Sequence, residues 1–115
     1  MLNGHPLCDQ TVTVYRLVEN AVVRGQIDHC FFRWEDVIRE DELGQRLDRK
    51  FRLIAPGPEQ QVFVGCRVLP GSGPVITPEQ WPQFIPAKVP DLCDVEYASG
   101  QYFEGTLHHT EAGRN

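Results

Sequence analysis

The chain has 115 residues, 41% of them apolar and 23% charged, and a formal net charge of -5. That length fits one domain able to bury a core without metal or disulfide staples, and the composition is that of a globular chain rather than a disordered one. The acidic balance argues against tight binding to a phosphate backbone, which needs clustered Lys and Arg. No apolar run approaches the roughly 20 residues that span a bilayer.

Residues 1–8 form a short polar lead, expected to be flexible. They have neither the basic region nor the apolar stretch of a secretion signal. The expectation is a protein made and kept in a cytoplasm unless it leaves as part of a particle. Thr11-Val12-Thr13-Val14-Tyr15-Arg16-Leu17 reads as the first strand, rich in β-branched and aromatic residues, with Val12 and Val14 on one face and Thr13, Tyr15 and Leu17 on the other. Glu19-Asn20 predicts a turn into a return strand that starts at Ala21 and breaks at Gly25. Extended chain then resumes, with Cys30, Phe32 and Trp34 alternating against Phe31, Arg33 and Glu35.

Residues 35–48 carry the weakest pattern. Trp34, Val37, Ile38 and Leu43 fall near a helical period, and Gly44 suits a helix stop. The segment lies between two strong strands, where a long mobile hairpin tip is equally natural, and the reading is a mobile arm or loop with at most a turn or two of helix. Such an arm serves either as a contact element or as a solvated charged linker. Arg46, Arg49, Lys50 and Arg52 make a local basic patch, read as a solvated strand face and too small for a nucleic-acid footprint.

The stretch over residues 49–74 predicts a bent hairpin, the element around which the chain is arranged. Phe51-Arg52-Leu53-Ile54 meets the turn Ala55-Pro56-Gly57-Pro58, and a second apolar run, residues 61–69, is interrupted by Gly65. Prolines follow at 70, 74, 78, 82, 86 and 90, so residues 70–93 form a Pro-rich excursion that excludes a long helix or a central strand. Within it, Thr77-Pro78-Glu79-Gln80 has the form of a capping box with proline at the first helical position. One helical turn there presents Trp81 and Phe84 on nearby faces, either pinning the loop to the core or anchoring a neighbouring subunit. Residues 94–97 read as a short extended piece, Ser99-Gly100 as a turn, residues 101–110 as the last strand, and residues 111–115 as a flexible tail.

No motif points to catalysis or to a resident metal. Cys8, Cys30, Cys66 and Cys93 are widely separated with no C-x-x-C pair, so reduced, mostly buried thiols are expected; two disulfides remain open from the even count. His108 and His109 are adjacent, which on a regular strand sends them to opposite faces and away from a shared metal. The pair His29-Cys30 has the same geometry, and Pro70-Gly71-Ser72-Gly73-Pro74 lacks the Lys-Ser/Thr of a phosphate loop. The acidic group Asp36, Glu40, Asp41 and Glu42 lacks the ligand spacing of an EF-hand. The fold expected is mainly β: a small antiparallel β-barrel or sandwich of a single domain, with a long Pro-rich loop and at most short helical turns.

Several stretches together resemble the minor capsid or head–tail joining proteins encoded in prophages of Gram-positive (Firmicutes) bacteria. They are Cys8-Asp9-Gln10-Thr11-Val12-Thr13-Val14-Tyr15, Phe51-Arg52-Leu53-Ile54-Ala55-Pro56-Gly57, Val62-Phe63-Val64-Gly65-Cys66-Arg67-Val68, residues 81–90, and residues 105–113. The resemblance covers nearly the whole chain in order, although each stretch is a structural strand or turn. Relatives often have Gly-Asp where this chain has Gly65-Cys66. The resemblance implies a non-enzymatic virion component without cofactor. It implies assembly as a homo-oligomeric ring on portal or adaptor and tail proteins, in the neck of the particle, near packaged DNA but without specific binding to it or to membrane. The residue pattern itself makes Trp34, Val37, Ile38, Trp81 and Phe84 candidate subunit contacts; the resemblance assigns none to the more variable residues 31–48. A minor tail or tail-completion protein is the nearest rival. From another class, a small OB-like nucleic-acid binder would account for the barrel pattern and for Phe31, Phe32 and Trp34, but would need a basic groove.

Overall fold

The computed structural model describes residues 9–35, 37–41, 44–48 and 50–114, and for residues 37–41 and 45–48 it describes the backbone. The flexible lead expected over residues 1–8 lies outside the described residues, as does Asn115. Nine strands are described: β1 (Gln10–Val18), β2 (Ala21–Trp34), β3 (Val37–Asp41), β4 (Gly44–Asp48), β5 (Phe51–Pro56), β6 (Arg67–Pro70), β7 (Cys93–Asp94), β8 (Tyr97–Phe103) and β9 (Thr106–Gly113). Seven of them form one antiparallel sheet in the order β7-β6-β1-β2-β5-β9-β8, curled into a half-barrel, while among the described residues β3 and β4 pair with each other as a separate two-stranded sheet. The mainly β architecture is the one the strand pattern predicts.

Glu19 and Asn20 both adopt left-handed conformations (φ 50° and 65°), the geometry by which a two-residue loop follows the twist of its strands and joins β1 to β2. β2 is the long bent strand that lets the sheet curl. Its first part pairs with β1 through Gly25, and its last four residues pair with β5. The break expected at Gly25 falls instead at Asp28 and His29, where the register with β1 slips and His29 takes φ 58°. Inside the curl, Val12 and Val14 pack with Ile27, Phe32, Phe51 and Leu53. Phe32 stacks on Phe51 at 5.7 Å between ring centroids.

The predicted 49–74 hairpin does not form. β5 pairs with β2 and β9, and β6 pairs with β1 and β7, so the two lie in different halves of the sheet. The intervening apolar run fills the core without joining the sheet as a strand: Val62 and Cys66 are buried in the main cluster. The turn at Gly65 (φ 92°) is held by hydrogen bonds from Gly65 N–H to Val95 O (3.1 Å) and from Val95 N–H to Cys66 O (2.9 Å). Apolar content alone does not distinguish a paired strand from such a buried crossing.

Residues 35–48, expected as a long hairpin tip or a loop with at most a turn or two of helix, contain the two-stranded β3–β4 hairpin, with Val37 opposite Asp48 and Asp41 opposite Gly44. Two further expectations are corrected. The single last strand over 101–110 is a hairpin: Glu104 (φ 51°) and Gly105 (φ 81°) turn the chain, and Ser99-Gly100 lies inside β8. The flexible tail begins too early, because Glu111, Ala112 and Gly113 sit in β9 between β5 and β8. The small residues there are a packing requirement rather than a sign of mobility. Ala112 is fully buried, and a Cβ on Gly113 would run into Phe51 O and the Tyr97 ring.

Candidate interaction and ligand surfaces

The Pro-rich excursion covers the outer face of β1. Thr13 and Tyr15, which point away from the curl interior, are both fully buried beneath it. Thr13 Oγ1 donates to Gly71 O (2.7 Å) and accepts from Gly73 N–H (2.8 Å), while Tyr15 OH donates to Pro74 O (2.7 Å). Arg24 donates to Gly73 O from Nε (3.0 Å) and Nη2 (2.6 Å). Gly73 has to be glycine, since a Cβ there would collide with the Tyr15 hydroxyl and Leu69. The glycine-rich turn is therefore a fastening between loop and strand.

A short 3-10 helix, Pro78–Gln83, follows, as the capping pattern predicts; Thr77 N–H donates to Gln80 Oε1 at 2.8 Å. It sets Phe84 edge-on against Tyr15, ring centroids 4.6 Å apart, in a second cluster with Leu92, and Trp81 packs at its border. Arg67 closes the arrangement: its Nη1 donates to Trp81 O and Phe84 O, both at 2.7 Å, and its guanidinium lies 3.8 Å from the centre of the Trp81 ring. The carbonyls at the end of a helix lack intrahelical partners, and a cation there satisfies them. Nothing in the sequence flagged Arg67, because it meets the helix from a strand more than ten residues away.

The five candidate contact residues thus separate. Phe84 is buried and Trp81 half-buried under Arg67, so both serve to pin the loop. Trp34 packs on the main core, 5.2 Å from the Phe32 ring and perpendicular to it. Val37 and Ile38 begin the β3–β4 hairpin, opposite Asp48 and Leu47. Of the three aromatics in the OB-like reading, Phe32 and Trp34 are engaged in the core, while Phe31 is half-buried with the Arg33 guanidinium 5.9 Å from its ring centre.

The exposed apolar residues lie elsewhere. Tyr102 and Phe103, both 68% exposed, sit at the tip of β8, the edge strand of the half-barrel. Beside them the register slips by one residue, with Gln101 opposite His109 but Tyr102 opposite Leu107, so His108 is the extra residue of a β-bulge. Bulges re-aim side chains. Here the bulge overturns the expectation of opposite faces: the Nδ1 atoms of His108 and His109 lie 2.9 Å apart. Gly57 braces the bulge, donating its N–H to His108 O (2.8 Å) and approaching Leu107 O too closely for any side chain. Nε2 of His109 faces Glu111 Oε1 at 3.6 Å, and Arg52 holds the same carboxylate at 3.5 Å. With Gln101, Tyr102 and Phe103 the histidines line an open groove of about 400 Å³.

A second groove of about 250 Å³ opens at the mouth of the curl between Arg16, Val23, Glu59, Gln61 and Phe63, with the Arg16 guanidinium 5.0 Å from the Phe63 ring centre. Cys30, Cys66 and Cys93 are buried, with Cys30 Sγ 3.5 Å from Ile27 O and Cys93 Sγ 3.4 Å from Asp91 O; Cys8 lies outside the described residues. Burial raises the Cys66 thiol above its ordinary range, and it raises the Tyr15 hydroxyl against the opposing pull of Arg24. Among the described residues no three His, Cys, Asp or Glu side chains converge as a metal-ion cluster, and no helix is long and apolar enough to cross a membrane. No protein-family model matches the chain, and neither do any curated proteins or solved structures.

Proposed function

We propose that this protein is a non-enzymatic structural component of a phage particle, a minor capsid or head–tail connector protein that adds in several copies to the portal or adaptor ring. The observation that carries this reading is the combination of an unclosed sheet, ending in the seven-residue edge strand β8, with a separate two-stranded hairpin, β3–β4. Edge strands offer unpaired backbone groups to a neighbour, and projecting hairpins extend a subunit's reach. Repeated around a ring, individually weak contacts become strong together.

The resemblance to prophage joining proteins supports the same reading, and its stretches fall on β1, β5, β6, β9 and the segment fastened over β1. The net charge of -5 suits a subunit near a DNA channel, where attraction to phosphate would hinder passage. A tail-completion role uses the same edge and hairpin at a different docking site.

The test is to tag the protein in its native lysogen, induce the prophage, and identify what purifies with it by mass spectrometry. Co-purification with portal or adaptor proteins supports the connector, and co-purification with tail proteins alone moves the assignment to tail completion. Recovery without any particle protein overturns both.

A further inference from the structure

We propose that the bulge on β9 builds a two-histidine site for a divalent transition cation of the nickel and copper class, with Nδ1 of His108 and Nδ1 of His109 as its ligands. Two nitrogens each roughly 2.0–2.1 Å from a metal, at an angle of about 90°, stand about 2.9 Å apart. The two Nδ1 atoms are 2.9 Å apart. Tetragonal and octahedral cations place adjacent ligands at that angle, whereas a tetrahedral ion would need the rings to spread.

The rest of the site favours metal over a bare histidine contact. In a neutral imidazole one nitrogen carries the proton and the other a lone pair, and the partner of the protonated nitrogen sets which is which. Glu111 Oε1 lies 3.6 Å from His109 Nε2, within ion-pair range and just beyond a direct hydrogen bond. Ligation needs a lone pair on each Nδ1, so a bound cation takes the place of the proton that the two Nδ1 atoms otherwise share. A carboxylate behind a ligating histidine is the usual orienting arrangement at metal sites, and Arg52 in turn holds this carboxylate. The backbone beneath is fixed, since the Gly57 N–H bond to His108 O fastens the bulge to the chain just beyond β5. The groove is open, so water completes the coordination.

The site is tested by calorimetric titration of nickel chloride into the protein bearing no histidine tag. The expected result is one saturable Ni²⁺ site, weakened at least tenfold in His108→Ala and in His109→Ala and lost in the double variant. Glu111→Gln is expected to weaken it by about tenfold, the usual effect of removing an orienting carboxylate. Circular dichroism checks that each variant keeps the fold. Absence of saturable binding in the wild type, or undiminished binding in the double variant, overturns the proposal. Unchanged affinity in Glu111→Gln overturns the orienting role assigned to that residue.

Discussion

The ring of Phe84 meets the ring of Tyr15 edge to face with centroids 4.6 Å apart, and this contact fastens the Pro-rich excursion to the outer face of β1. Proline excludes most of this segment from the sheet, so its stability comes from side chains reaching back to β1. Truncating a buried phenylalanine removes its transfer free energy and leaves a cavity, together about 3–5 kcal/mol. Phe84→Ala is expected to lower the melting temperature by ten degrees or more in differential scanning calorimetry. Tyr15→Phe keeps the ring and loses the hydrogen bond to Pro74 O, at about 1 kcal/mol.

Arg67 tests a different part of the same fastening. Its two hydrogen bonds to Trp81 O and Phe84 O are charge-assisted, and its planar guanidinium also lies over the Trp81 ring. Lysine retains the charge but neither the fork nor the flat stacking surface. Arg67→Lys is therefore expected to lose most of what Arg67→Ala loses, about 2–3 kcal/mol by urea denaturation. Near-wild-type stability of the lysine variant would show that charge alone matters.

Alkaline pH bears on the two buried groups whose proton affinities are raised. The pKa of Cys66 is raised from its ordinary 9.0 and that of Tyr15 from 10.0, burial being the main cause of each. Their protonated forms are favoured in the fold. The resulting stability is fully present below the ordinary pKa values and is lost as pH climbs from about 9 for Cys66 and about 10 for Tyr15, through the folded-state values. Melting curves between pH 8 and pH 11 should fall less steeply for Cys66→Ala from about pH 9, and for Tyr15→Phe from about pH 10, than for the wild type. Parallel curves would contradict this account.

The tip of β8 concerns the proposed assembly rather than the fold. Tyr102 and Phe103 are 68% exposed, and surface changes of this kind usually alter stability by about 0.5 kcal/mol or less. Replacing both by serine is expected to leave the melting temperature within a few degrees of wild type. It should reduce the copies of the protein recovered in particles several-fold. Full incorporation of the double variant would remove the β8 tip from the proposed interface.

How much of this was legible in the sequence follows from the range of the signals. Local signals held: β-branched alternation marked β1, Glu19-Asn20 marked its turn, and Thr77-Pro78-Glu79-Gln80 marked the short helix. Pairing did not follow from them. Phe51-Arg52-Leu53-Ile54 and residues 61–69 looked like partners because they are neighbours in sequence, yet β1 and β2 separate β5 from β6 in the sheet. The register slip at His108 was invisible for a related reason: alternation assumes one residue per position, and a bulge adds one. Arg67 was missed because its partners, the carbonyls of Trp81 and Phe84, are backbone groups that no side-chain pattern announces. Trp81 and Phe84 were read either as pinning the loop or as anchoring a neighbouring subunit, and they pack in and beside the Tyr15 cluster, while the exposed pair at Tyr102 and Phe103 was read as ordinary strand.

The most direct test of the joining role is quantitative mass spectrometry of gradient-purified, nuclease-treated particles from the induced lysogen, with the portal protein as internal reference. The account predicts this chain in every particle, at a fixed ratio to portal consistent with several copies per ring. Its absence from intact, infectious particles would contradict the account.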